Sequence, residues 1–152
     1  MKRIHSIYGL IFVCLLFLIG CTSQKGSEKL HLLATGESKT WVVNLYLVQN
    51  SNNETRDISV TVSQKNEETI NHLHWKLDSK EKLQTSISGD LNNFSNHQVY
   101  ESGTFTSTNV DMRSKSYIKE ALNGLHIKLN WEEAMESKHD VVSLSYEKEY
   151  VR

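Results

Sequence analysis

From Thr40 onward, apolar residues recur at every second position in separate short runs. Trp41, Val43, Leu45 and Leu47 form one such series; Ile58, Val60 and Val62 a second; Leu73, Trp75 and Leu77 a third. Leu125, Ile127, Leu129 and Trp131 follow, and Val142, Leu144 and Tyr146 close the pattern. Side chains alternate across a strand, so each series predicts a strand with one buried and one wetter face. Weaker strands are expected at His31–Thr35, at Leu83–Ile87 before Gly89-Asp90, and over Gln98–Met112, where Ser102-Gly103 interrupts. Polar clusters at 36–39, 50–55, 66–68 and 92–96 read as turns or loops, and 132–138 as a polar connection.

Only one mature segment departs from period two. In Ser116–Gly124, Ile118 and Leu122 stack one turn apart, Ser116 is placed to cap, and Gly124 suits the left-handed position after a helix. The expected fold is therefore all-β: an antiparallel Ig-like β-sandwich of about seven to eight short strands, with one short helix near 116–122.

The amino terminus follows a different rule. Lys2 and Arg3 precede an almost wholly apolar run from Ile7 to Ile19, too short for a spanning helix of ~20 residues but suited to a signal peptide. The run ends in Leu18-Ile19-Gly20-Cys21, and the chain then turns polar. This order resembles the bacterial lipobox, in which a small residue precedes a cysteine whose thiol takes a diacylglycerol. The resemblance implies that Leu18, Ile19 and Gly20 are read by the signal peptidase and that Cys21 is lipidated. Residues 1–20 would be removed, 21–29 would tether the lipid, and 30–152 would form the domain. A coil of eight residues spans about 16 Å, which holds the domain near the head groups. Two or more acyl chains make such attachment durable without a transmembrane helix. The implied location is the extracytoplasmic face of a bacterial membrane.

Charge and composition narrow the function. Losing Lys2 and Arg3 with the leader leaves 15 basic residues against 18 acidic ones, a net charge of −3, so there is no basic footprint for nucleic acid. The two cysteines, Cys14 in the apolar run and Cys21 at the lipobox, leave no disulfide for the exported domain. Packing and sheet hydrogen bonds must hold it together.

Gly36-Glu37-Ser38 with Trp41, the segment Ile118–Leu122 followed by Leu125–Trp131, and the strand around Val142-Ser143-Leu144 resemble small lipoproteins of Bacillus-type Gram-positive bacteria. The resemblance spans most of the mature chain and concerns fold. It implies no chemistry.

Catalytic patterns are sparse. There is no Gly-x-Ser-x-Gly elbow, phosphate-binding glycine loop or dinucleotide fingerprint. His72 and His74 share one strand face at a spacing that metal sites on sheets use, but no third ligand is evident and Lys76 adds charge beside them. Asp78, Glu81, Asp90, Glu101 and Asp111 are scattered over turns and strand edges. Trp41, Trp75 and Trp131, all on inward faces, are expected in the core. The sequence thus points to a noncatalytic lipoprotein that binds an envelope protein, with no cofactor beyond the lipid on Cys21. The alternative is a solute- or metal-binding lipoprotein using the His72/His74 face.

Overall fold

The computed structural model describes residues 29–50, 54–66, 69–94, 99–108 and 113–150. Eight antiparallel strands are formed: β1 (Lys29–Glu37), β2 (Trp41–Asn50), β3 (Thr55–Gln64), β4 (Ile70–Ser79), β5 (Thr85–Phe94), β6 (Val99–Ser107), β7 (Leu125–Glu133) and β8 (Glu136–Glu149). Two helices join them, α1 (Lys80–Leu83) and α2 (Lys115–Leu122). The all-β antiparallel expectation holds, and each alternating series lies on a strand with its apolar face buried.

The strands make one sheet in the order β5-β4-β7-β8-β1-β2-β3-β6. It curls until it is nearly a barrel, and two cleanly separate sandwiched layers are not seen. The cause is β8, a strand of 14 residues. Its first part pairs with β7, from Glu136 opposite Glu133 to Leu144 opposite Leu125. Its last part pairs with β1, from Ser145 opposite Thr35 to Glu149 opposite Leu32. A register shift, at the step from Leu33 opposite Lys148 to Ala34 opposite Tyr146, bends the strand as a bulge does. At the same corner, a Cβ on Gly36 would stand 2.3 Å from the Ser143 carbonyl oxygen, so only glycine lets β1 approach β8 this closely. Alternation specifies which face is buried and leaves open whether neighbouring strands share a sheet, so the corner was not legible.

The curl brings inward faces together. Trp41 on β2 meets Trp131 on β7 edge to face, with ring centroids 5.3 Å apart. Trp75 on β4 touches Phe105 on β6 across the interior, 6.3 Å between centroids. Trp41 and Trp75 are fully buried and Trp131 is nearly so. Each large apolar side chain taken from water contributes roughly 1.5–3 kcal/mol before the entropy of ordering is set against it.

Local expectations need several corrections. The helix begins one residue before Ser116, and its cap is Ser114, whose Oγ accepts from the Tyr117 backbone N–H at 3.3 Å. Ile118, Ala121 and Leu122 are its buried face, and Gly124 follows with φ +81°. Leu83 lies in α1 and not in a strand. Strand β5 runs through Gly89-Asp90 and on into 92–94, because pairing with β4 overrides the turn propensity of those residues. The expected polar connection at 132–138 is strand except for a two-residue turn, Ala134-Met135, with both residues at positive φ.

Candidate functional site

The expected signal peptidase residues Leu18, Ile19 and Gly20, the expected lipidation residue Cys21 and the expected tether up to Glu28 lie outside the described residues, as does Asp111. Among the described residues no helix is long and apolar enough to cross a membrane.

His72 and His74 are on the outer face of β4, as their alternation with buried Leu73 and Trp75 requires. Register places His74 opposite Asp90 of β5 and His72 opposite Asn92. His74 Nδ1 lies 2.9 Å from Asp90 Oδ1, and His72 Nε2 lies 3.4 Å from the same oxygen. His72 Nδ1 also meets Asn92 Oδ1 at 2.9 Å. Asp90 was missed as a partner because Gly89-Asp90 reads as a turn. Once β5 is extended through it, its carboxylate falls between the imidazoles. The three side chains are substantially exposed. Among the described residues no group of three or more His, Cys, Asp or Glu side chains is placed to hold a metal ion.

A second feature lies on the outer face of β2, β3 and β6. Tyr46 and Val48 of β2, Asp57, Ser59 and Thr61 of β3, and Glu101, Gly103 and Thr104 of β6 line a depression of about 500 Å³. Tyr150, just past β8, closes one side: its ring stands edge-on to Tyr46, with centroids 5.8 Å apart, and to His31 at 5.3 Å. Its backbone N–H donates to the His31 carbonyl at 3.2 Å. Alongside it β6 bulges, at the register shift between Ser59 and Thr61. The Val60 N–H that the bulge would orphan donates instead to Ser102 Oγ at 2.9 Å. Asp57 accepts a hydrogen bond from Thr106 Oγ1 at 2.6 Å. The Ser102-Gly103 interruption was legible in the sequence, but its meaning as a bulge on an edge strand was not.

The other acidic residues divide by role. Glu133, in the stretch expected to be a solvated connection, is only 15% exposed in its side chain. It accepts from Trp131 Nε1 at 3.3 Å and from Lys138 Nζ at 2.6 Å. Glu37 and Glu149 are held below the ordinary carboxylate range by hydrogen bonds from Lys65 and Lys115 respectively. The expected core tryptophans are core, and none faces either outer feature.

Comparison with protein-family models, with curated proteins and with solved structures finds no match.

Proposed function

We propose that this chain is a lipid-anchored, noncatalytic module of a bacterial envelope whose outer face binds another envelope protein. The observation that carries the binding half is the depression between β2, β3 and β6. Tyr46, Val48 and Tyr150 line it, and Asp57 and Glu101 place two carboxylates beside them. Tyrosines offer large contact area with a polar tip, and protein interfaces are enriched in them. β6 is an edge strand of the sheet, so an extended polypeptide laid beside it would find backbone groups to pair with. The two carboxylates favour a segment carrying Lys or Arg. The anchor half rests on the ordered basic start, apolar run, Gly20 and Cys21, and on the resemblance to small lipoproteins of Bacillus-type bacteria.

Two measurements test the halves separately. Intact mass and detergent-phase partitioning should show Cys21 as the acylated first residue, and Cys21→Ser should stay an unprocessed precursor. The same N-terminus in both, with no acyl mass, would make the protein simply secreted. A photoreactive residue at position 46, used on intact cells, should capture a discrete envelope protein that the same residue at position 135 does not. Equal capture at both positions would remove the groove from consideration. The rival solute- or metal-binding function draws on one observation, the pair of imidazoles around Asp90. Micromolar binding of Zn²⁺ or Cu²⁺, abolished by His72→Ala and His74→Ala, would replace the protein-binding reading.

A further inference from the structure

A second depression, of about 490 Å³, lies on the outer face of β4 and β7 next to α1. Its distinctive feature is a like-charge pair. Lys76 of β4 and Lys128 of β7 are directly opposite in the ladder, and both are exposed. Like charges placed so are destabilising, whereas a carboxylate opposite either lysine would be stabilising. Among the described residues neither ammonium has an ion pair. The flanking strands do not supply one: Lys76 faces Ser88 on β5, and Lys128 faces Val141 on β8. Lys82 of α1 reaches the same depression and donates to the Gly124 carbonyl at 3.3 Å. His126 stands beside Lys128 on the outer face of β7, its Nδ1 at 3.1 Å from Ser143 Oγ. Asp78 and Glu81 line the portion toward α1, leaving three lysines against two carboxylates.

We propose that this depression is a binding site for a phosphate group, with Lys76 and Lys128 as its principal ligands and Lys82 as the third. An oxyanion between two opposed ammonium groups turns a repulsive pair into two charge-assisted hydrogen bonds. Tetrahedral oxygens suit three separate point donors, which is what lysines provide. The volume exceeds that of bare phosphate and accommodates a phosphate carried on a small organic group. The site lies at the barrel end where β1 begins. On the anchor assignment above, that end faces the membrane, so a lipid head group and a soluble phosphate ester are both within reach.

The test uses the full-length chain in neutral detergent micelles. Glycerol 3-phosphate, titrated calorimetrically at low salt, should bind to the wild type, and Lys76→Gln with Lys128→Gln should weaken it roughly tenfold or more. The same double variant should melt no lower than wild type without ligand, since it relieves the repulsion, and should lose the ligand-induced rise in melting temperature. Micelles doped with phosphatidylglycerol or, as control, with a neutral glycolipid distinguish the sources. Stabilisation by the phospholipid alone, absent in the double variant, assigns the site to head groups. Stabilisation by the soluble ester assigns it to free phosphate compounds, whatever the state of the anchor. Equal response of wild type and variant to every phosphate, or none from either, overturns the proposal.

Discussion

The two ends of the barrel are closed by different means. At the end bearing the Ala134-Met135 turn, closure is aromatic: Trp41 and Trp131 meet edge to face, and Glu133 ties the Trp131 indole N–H to Lys138. At the other end closure is helical and polar. Leu83 of α1 and Ile118 and Leu122 of α2 are fully buried there. Beneath them lies Arg56, only 1% exposed. Its guanidinium donates to the Leu83 carbonyl at 2.5 Å and to Gln49 Oε1 at 2.8 Å, while Gln49 Nε2 donates to the Arg113 carbonyl at 3.1 Å. One charged side chain thus fastens β2, β3, α1 and the approach to α2. The aromatic end gains stability from area, which is non-directional. The helical end gains specificity from a network whose members each need their partners.

The largest loss of stability is expected at the aromatic end. Trp131→Ala should cost about 3–5 kcal/mol, read from denaturant unfolding, because it removes a large buried ring and leaves a cavity against Trp41. An unaltered unfolding midpoint would show that the ring contributes nothing to closure. At the helical end, Arg56→Met keeps volume but strands the Leu83 carbonyl and Gln49 Oε1, and about 2–3 kcal/mol should be lost. Adding Gln49→Leu should cost less than the sum of the two single changes, since they share one network. Strict additivity would mean that the two residues act independently.

Smaller changes sharpen the contrast. Ala134 and Met135 both hold positive φ, 49° and 71°, in a two-residue hairpin turn that favours Asn-Gly. Replacing the pair by Asn-Gly should stabilise by about 1 kcal/mol, since the left-handed region penalises residues with an ordinary Cβ. No gain in melting temperature would count against the turn geometry. The smallest effect is electrostatic and belongs to the helical end. Lys115 at 2.5 Å, with Lys119 at 3.9 Å, holds Glu149 in its ionised form. A carboxyl lowered on folding contributes stability above its unfolded value of 4.5, and the contribution disappears as pH falls through the lower folded value. Glu149→Gln should therefore reduce stability slightly at neutral pH and flatten the acid limb of the pH profile. An acid limb identical to that of wild type would exclude the pair from it.

How legible each end was follows from the same contrast. Trp41 and Trp131 sit in phase with their neighbours, so alternation alone placed both rings inward. Arg56 also sits in phase, two residues before Ile58, but a charged residue at a strand start reads as solvent-facing. Its burial depends on the Leu83 carbonyl of α1, far away in sequence, and on Gln49, which is itself held by the Arg113 carbonyl. The His72–His74 face was half legible. The spacing located the imidazoles, but Asp90 required knowing that β5 continues past Gly89. The opposed lysines of the second depression were individually unremarkable in the sequence, since only the β4–β7 register sets them face to face.

The corner strand β8 carries a consequence for the order of assembly. Leu32 near the start of the domain pairs with Glu149 near its end, and β7 pairs with the same strand's first half. Without β8 the sheet lacks the seam that joins its two halves, and one side of β1 has no partner. Closing that seam brings together residues far apart in the sequence, a kind of pairing that forms slowly. The domain is in effect latched by β8, so the sheet curls shut only once this strand is available to pair on both sides.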